Sequence, residues 1–234
     1  MNLLRSGERP LVIGHRGAAA VAPENTLESL QAAVAAGADL VEFDVGPDLR
    51  LAHSAEEAPE SQVTLDSALE YLRTQGVGAH LDVKQPGYEE PVVAALRRHG
   101  LAANAVLATA YALTSRRLRQ LAPDVPRAIS YPRDRYGVSH LRWPGVMTRS
   151  GAAALRAAFP LRLPLLLNAA RADTLSLHHT LCSRAAVRLA HRRGVPVLAW
   201  TANDPDAVWR LAGLGVDAIV SDDPGMALAT LRSP

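Results

Sequence analysis

Two acidic side chains stand two residues apart inside an otherwise apolar run. Glu42 and Asp44 alternate with Val41, Phe43 and Val45, so in a strand both carboxylates would lie on one face. They could be outward-facing charges, but their neighbours indicate a buried strand, and buried like charges are costly unless a cation compensates them. The spacing therefore favours a bound metal ion over a solvated pair.

Other polar residues follow apolar runs in the same way. His15 and Arg16 come directly after the first run, while Asp82 and Lys84 share one face at the end of the third. Taken alone, the first pair could be a surface turn and the second a buried ion pair. Lys84 is unusual because the chain has one Lys and 24 Arg, although a leftover surface lysine is the alternative. The meaning of these pairs depends on whether the fold brings the strand ends together.

Eight short apolar runs alternate with helix-like segments along the 234 residues. Most runs are continuously apolar, as in parallel strands buried on both faces. This alternation predicts an α/β fold, a (β/α)8 TIM barrel forming a single domain over residues 1–234, with an open doubly wound sheet as the alternative. The predicted strands are Leu11–Gly14, Leu40–Val45, Gly78–Val83, Ala105–Ala108, Arg127–Ser130, Ala172–Leu177, Pro196–Thr201 and Ala218–Ser221. In such a barrel the working residues stand at the C-terminal strand ends, where the polar pairs fall.

Capping residues predict the helix boundaries. Helices are expected from Asn25 or Thr26 to Gly37, from Thr64 onward, from Ser183 to Arg193, and from Asn203 or Asp204 to Gly213 or Gly215. The stretch from Pro132 to Ala170 has no readable period, because Pro, Gly and Arg interrupt each pattern. Four histidines are assigned to helical or irregular segments, as structural or solvated groups: His80, His99, His140 and His191. The role of His178 and His179, which follow the sixth strand, is left open.

The composition limits the class of protein. With 48% hydrophobic and 21% charged residues, a disordered tail, a collagen-like fibre and a disulfide scaffold are excluded. Cys182 is the single cysteine, so no internal disulfide can form and a reducing, cytoplasmic compartment is expected. We expect no export signal and no membrane-spanning segment. A net charge of +2 without a long basic run predicts neither a nucleic-acid partner nor stable membrane association.

The combination of motifs resembles the glycerophosphodiester phosphodiesterase family, over the chain from about Leu11 to Pro224. The matching segments are His15-Arg16-Gly17, Pro23-Glu24-Asn25-Thr26, Gly37-Ala38-Asp39, Glu42-Phe43-Asp44, His53, Leu81-Asp82-Val83-Lys84, Trp200, Asn203-Asp204-Pro205 and Gly215 through Pro224. The resemblance implies a TIM barrel that hydrolyses glycerophosphodiesters to glycerol 3-phosphate and an alcohol.

The resemblance also implies how the charged residues divide the work. Glu42, Asp44 and Asp82 would supply oxygen ligands to Mg²⁺ or Ca²⁺. Arg16, with a planar fork, and Lys84, as a point charge, would hold the remaining phosphate oxygens. A divalent ion and fixed positive groups are what an anionic phosphodiester needs before a nucleophile can approach.

Proton transfer is assigned to histidines by the same resemblance. His15 and His53 would form the acid and base pair, because imidazole titrates near working pH. Glu24 would help to hold the histidine and metal cluster, and Trp200 would form an apolar wall for the glycerol. The attack is expected first from the substrate's own glycerol hydroxyl, giving a cyclic phosphate that water then opens.

Three departures from the family pattern qualify this prediction. The segment between Asp44 and His53 is several residues short and lacks the family's Thr-x-Asp-Gly element. Ser54 stands where the family has Asp, and Asp82 where it has the longer Glu. Two alternatives follow: a catalytically weakened barrel that binds a phosphorylated ligand, and a lysophospholipase D-like enzyme acting at a lipid surface.

Overall fold

Eight short strands, most of them predominantly apolar, pair in parallel and close into a barrel in chain order. The structure, a computed structural model, describes residues 3–4, 7–53, 62–133 and 145–232, without the side chains of 145–150 and 152. The strands are β1 Leu11–Gly14, β2 Leu40–Val45, β3 Gly78–Val83, β4 Ala105–Thr109, β5 Arg127–Tyr131, β6 Thr174–His178, β7 Val197–Trp200 and β8 Ala218–Ser221. Because β1 pairs with both β2 and β8, the sheet has no open edge. The predicted (β/α)8 barrel is confirmed, and the open sheet is excluded.

A helix follows each strand. The helices are α1 Leu27–Ala35, α2 Leu65–Gln75, α3 Glu89–Arg98, α4 Ala112–Leu121, α5 Gly145–Ala170, α6 Arg184–His191, α7 Pro205–Leu214 and α8 Pro224–Arg232. Among the alternative caps, Thr26 accepts from the Ser29 amide and Asp204 from the Ala207 amide, and Gly215 ends α7 in the left-handed region. No helix in the described part of the chain is long and apolar enough to cross a membrane.

Side chains that alternate along each strand separate the core into an outer and an inner part. In β2, Val41 and Phe43 face outward under the helices, whereas Leu40 faces the barrel interior. The interior is small and largely apolar; it contains Leu3, Ile13, Leu40, Val106, Ala108, Ala128, Leu198, Ala218 and Val220. His80 lies in β3 on the inward face, so its assignment to a helical or irregular segment was wrong. His140 lies outside the described residues.

The stretch from Pro132 to Ala170, which has no readable period in the sequence, contains the longest of the described helices, α5. This helix has 26 residues and two internal prolines. Its buried face repeats at a spacing of four, through Phe159, Leu163 and Leu167. Leu161 and Leu165 lie on the opposite, exposed face. A leucine on every side of the helix hides the amphipathic pattern, which is why the sequence did not reveal this element.

The N-terminal end of the barrel is held by aspartates that precede even-numbered strands. Asp39, just before β2, accepts a hydrogen bond of 2.7 Å from the Val12 amide of β1. The Arg9 guanidinium contacts the same carboxylate with bonds of 2.6 and 3.0 Å. The carboxylate thus joins two neighbouring strands and has its charge compensated.

The arrangement recurs twice around the barrel. Asp217, before β8, is 1% exposed; it accepts from the Val197 amide of β7 at 2.7 Å and contacts His191 Nε2 at 2.8 Å. Asp173, before β6, accepts from the amide and the guanidinium of Arg127 in β5. Each of these acids therefore stabilises the pairing of two strands.

Candidate active site

Three carboxylates converge at the C-terminal ends of two adjacent strands. Glu42 and Asp44 project inward from β2, and Asp82 is the register partner of Asp44 on β3. One carboxylate oxygen of each residue lies within 4.8 Å of the others, the one such group among the described residues. Glu42 and Asp44 are 5% and 1% exposed. The predicted sharing of one face by Glu42 and Asp44 is therefore confirmed.

The charges of this acid cluster are only partly compensated by the protein. Burial, together with the neighbouring Asp44 carboxylate, raises the pKa of Glu42 to about 7. Burial acts the same way on Asp44, but Lys84 and Arg16 outweigh it and hold the pKa of Asp44 well below its usual range. Additional positive charge at the cluster would therefore be favourable.

Lys84 bridges the two strands from the wall of the barrel mouth. Its Nζ lies 2.6 Å from Asp44 Oδ1 and 2.7 Å from Asp82 Oδ2. Burial disfavours the ammonium, yet the carboxylates of Asp82, Asp44 and Glu42 raise the pKa of Lys84. The side chain is 21% exposed, so the alternative of a leftover surface lysine is excluded.

The loop after β1 fits against the acid cluster through its backbone. Arg16 and Gly17 both have positive φ, +47° and +86°. A Cβ at Gly17 would lie 2.4 Å from Ser29, so only glycine fits there. The turn directs the Arg16 amide to Glu42 Oε2 at 2.7 Å. The Glu42 carboxylate is thus positioned by a backbone donor.

The Arg16 guanidinium extends across the mouth between two acids. Its Nε lies 3.1 Å from Asp44 Oδ2, and its Nη1 donates to Glu24 Oε2 at 2.7 Å. Glu24 is 47% exposed on its side chain. Its contact with the acid cluster runs through Arg16, so Glu24 lies at the rim of the site.

His15 is held by two residues to which the sequence analysis assigned no role in the site. His15 Nδ1 lies 2.5 Å from Asp222 Oδ1. Asn203 donates its amide to the other Asp222 oxygen and accepts from the Asp222 amide at 3.0 Å. Burial opposes ionisation of Asp222, but the bond from His15 outweighs it and the pKa of Asp222 is lowered. An ionised carboxylate only accepts, so the Nδ1 proton points to Asp222 and Nε2 is left for the site.

Asn25 has a different role from the capping role considered above. Its Nδ2 donates to Asp44 Oδ2 at 3.1 Å, and its Oδ1 accepts from the Asp44 amide at 3.0 Å. Asn25 is 5% exposed and has a φ of +60°, which Asn tolerates better than most residues. The cap is formed by Thr26, while Asn25 orients a carboxylate of the cluster.

The shortened segment after β2 folds into a tight turn that returns the chain to the mouth. The Gly46 amide donates to the Arg50 carbonyl at 2.9 Å, and the Ala52 amide donates to the Asp44 carbonyl at 3.2 Å. His53 follows directly and lines a cavity of about 630 Å³ together with Glu24 and Asn25. The structure thus places His53 on the side of the mouth where Glu24 lies; Ser54 lies outside the described residues.

An aromatic residue forms the opposite wall. Trp200 ends β7, which is four strands from β3 in the closed order and so lies across the mouth from the acid cluster. Its ring meets the His178 ring edge-on at 5.1 Å. His178 and His179 lie at this rim, and burial lowers the pKa of His178 to about 4. Both were left open in the sequence analysis; His178 contacts the predicted apolar wall.

The acid cluster fits a divalent cation. Carboxylate oxygens are the ligands that Mg²⁺ and Ca²⁺ prefer. Asp82 Oδ1 is buried and has no hydrogen-bond partner among the described residues, an arrangement that a bound cation would relieve. Burial and the Asp44 carboxylate raise the pKa of Glu42, and a bound cation would counteract both effects. Donor type, spacing and charge balance therefore agree with a metal centre.

Known proteins resemble this chain over nearly its whole length. A protein of Bacillus subtilis (strain 168), named "Putative glycerophosphodiester phosphodiesterase YhdW", is 24% identical over 91% of this chain and 94% of its own. The solved phosphodiesterase from Oleispira antarctica, in complex with the product sn-glycerol-3-phosphate, has a TM-score of 0.71 at 24% identity, covering 96% and 98% of the two chains. A glycerophosphodiester phosphodiesterase structure from Parabacteroides distasonis has a TM-score of 0.73 at 18% identity, covering 97% and 98%. These structural likenesses support the barrel fold.

The sequence model of the glycerophosphoryl diester phosphodiesterase family matches residues 15–46 and 49–226. The interruption falls at Pro47 and Asp48, inside the shortened segment. The match includes the acid cluster and both cations beside it, and it extends through Asp222. The chain belongs to the glycerophosphoryl diester phosphodiesterase family.

Proposed function

We propose that this protein hydrolyses glycerophosphodiesters to glycerol 3-phosphate and an alcohol. The observation that carries the proposal is the pairing of a three-carboxylate cluster with a histidine whose Nδ1 is held by Asp222 at 2.5 Å. Family membership supports the substrate class. The expected partner is this small molecule; the absence of a nucleic-acid partner, the single domain over residues 1–234 and the cytoplasmic location stay predictions from the sequence.

Glu42, Asp44 and Asp82 would hold the cation, Mg²⁺ or Ca²⁺. When bound, a divalent ion polarises a phosphoryl oxygen and stabilises the charge that develops in the transition state. Asn25 and the Arg16 amide keep two of the three carboxylates oriented. The protein thus supplies a fixed set of ligands on two adjacent strands.

Arg16 and Lys84 hold the remaining phosphate oxygens. Both contact Asp44 directly, so they line the same part of the mouth as the acid cluster. An arriving phosphodiester is an anion, and it can take over the contacts that these cations make with carboxylate oxygens. The two side chains would then neutralise and orient the phosphate.

His15 and His53 carry the proton transfers. Asp222 fixes the proton of His15 on Nδ1, so Nε2 can accept a proton from the attacking hydroxyl. His53, returned to the mouth by the turn after β2, is proposed to donate a proton to the leaving alcohol. In the first step the substrate's glycerol hydroxyl would attack, and in the second step water would open the cyclic phosphate. Trp200 would bound the glycerol with an apolar face.

Turnover tests this proposal directly. We expect release of glycerol 3-phosphate from glycerophosphocholine, glycerophosphoethanolamine or glycerophosphoglycerol, measured by phosphorus NMR, to stop with excess EDTA and to recover with Mg²⁺, Mn²⁺ or Ca²⁺. Binding of glycerol 3-phosphate without turnover would favour the catalytically weakened barrel instead. Activity confined to lysolipid micelles would favour the lysophospholipase D-like enzyme. Full activity in excess EDTA would contradict the metal site.

A further inference from the structure

The imidazole ring of His80 lies inside the barrel, on the N-terminal side of the acid cluster. His80 is 3% exposed and is the register partner of Glu42 on one side and of Val106 on the other. Asp82 follows two residues later on the same inward face of β3. Most of the neighbouring interior is apolar, including Leu40. A histidine at this depth therefore requires a physical reason.

Two buried groups at this position lack partners within the described part of the chain. Both ring nitrogens of His80 are without a hydrogen bond, and so is Asp82 Oδ1. A neutral imidazole has one N–H donor and one acceptor, and leaving a buried donor unpaired is costly. His80 thus has a donor that needs an acceptor, and Asp82 Oδ1 has two lone-pair sites, which can accept one hydrogen bond and still bind the cation.

The separation of these groups suits one bridging water. Residues two apart on a strand are about 6.6 Å apart, and their side chains stand roughly parallel. One water with two hydrogen bonds of about 2.8 Å can span the gap, and buried waters typically bind such groups.

We propose that His80 is a positioning residue of the metal site, which donates a hydrogen bond through one buried water to Asp82 Oδ1 and so fixes the Asp82 carboxylate toward the cation. The inference rests on the metal site of the proposed function. It also accounts for the acid being Asp, because the side chain is one methylene shorter than the family's Glu and leaves room for the water below it. Hydrogen-bonding partners of metal ligands typically raise metal affinity 10- to 100-fold.

Metal binding measured without substrate tests the inference separately from turnover. Calorimetric titration of the whole chain with Mn²⁺ should give a Kd at least about tenfold weaker in His80→Leu than in the wild type. His80→Asn keeps an N–H donor at this position and should recover most of the affinity. Val106→Ala is the matched control, because it alters packing at the register partner of His80 without removing a polar group. Its Kd should equal that of the wild type.

Several results would overturn the inference. An unchanged Kd in His80→Leu would do so, and so would an equal loss in Val106→Ala, which would assign the effect to packing. Should His80→Leu fail to fold, a high-resolution crystal structure of the Mn²⁺-loaded wild type decides: a water within hydrogen-bond distance of His80 and Asp82 Oδ1 supports the inference, and none at that position overturns it. Wild-type protein that binds no Mn²⁺ would overturn the metal site and this inference together. Normal metal binding without turnover of any diester would contradict the proposed hydrolysis alone.

Discussion

The charges of acidic residues are compensated differently at the two ends of the barrel. At the N-terminal end, Asp39 and Asp217 each accept a backbone amide from the neighbouring strand, and each contacts a basic side chain. At the C-terminal end, Glu42, Asp44 and Asp82 crowd within 4.8 Å. The first arrangement compensates each carboxylate separately, whereas the second concentrates negative charge in one place.

This difference separates residues that stabilise the barrel from residues that we propose to perform chemistry. A carboxylate with a backbone amide and a basic side chain of its own strengthens strand pairing. Burial and the neighbouring Asp44 carboxylate raise the pKa of Glu42 to about 7, because the carboxylates of the cluster share their cations. In TIM barrels the C-terminal face carries the active site and the opposite face contributes stability. Substitutions at the two ends should therefore affect different measurements.

Glu42→Gln should have the largest effect on activity. Removal of one ligand charge weakens metal binding, and a metal ion contributes several kcal/mol to the transition state, so kcat/KM should fall at least about 10⁴-fold. The metal-free protein should melt at the same or a higher temperature, because a buried like charge is removed. Steady-state kinetics and calorimetry measure both quantities. An equally active Glu42→Gln would remove this residue from the metal site.

The two imidazole–aspartate pairs permit a matched test of proton transfer. His15→Ala should lower kcat by about 10²- to 10⁴-fold, since it removes the proposed general base, and we expect a loss of that order for His53→Ala too. Asp222→Asn should also lower kcat, because the Nδ1 proton of His15 would no longer be fixed. The control is His191→Ala, which breaks the imidazole contact to Asp217 at the other end. Its kcat should match the wild type; a comparable loss there would show that such substitutions act through the fold.

Asp217→Asn should mainly reduce stability. Its carboxylate is buried and bonds both the Val197 amide and His191, and hydrogen bonds to charged groups contribute about 1.5–3 kcal/mol. We expect the free energy of unfolding to fall by about 1–3 kcal/mol, measured by urea titration, with kcat/KM unchanged per folded molecule. A large loss of kcat/KM with unchanged stability would contradict the division between the two ends.

Lys84→Arg should have a smaller effect on activity. The ammonium fits between Asp44 and Asp82 at 2.6 and 2.7 Å, and a guanidinium is too wide to replace it beside a phosphate. Both Lys84→Arg and Lys84→Met should lower kcat/KM at least about tenfold, on the order of 1.4 kcal/mol. Selective acetylation of this lysine should inactivate the protein unless a phosphate analogue protects it. Normal kinetics in Lys84→Arg would mean that any cation suffices at this position.

Local patterns were sufficient for most of the fold. Apolar repeats and capping residues predicted four of the eight helices, with Thr64 before α2 and Gly215 after α7 as examples. The least readable helix is α5, where Leu161 and Leu165 on the exposed face and two prolines hide the spacing of Phe159 and Leu163. Period-two alternation likewise put Glu42 and Asp44 on one face, because strand geometry is local.

The sequence by itself thus determined the strands, the boundaries of several helices and the acids that could bind a metal. Tertiary structure alone decided which residues support them. Asp222 reaches His15 because β8 pairs with β1, a contact between residues 207 positions apart that follows from closure of the barrel. Asn25 binds the Asp44 carboxylate, and His80 lies beside Glu42 on the next strand. Both arrangements join separate elements of the fold. They follow from strand register and barrel geometry, which no local pattern encodes.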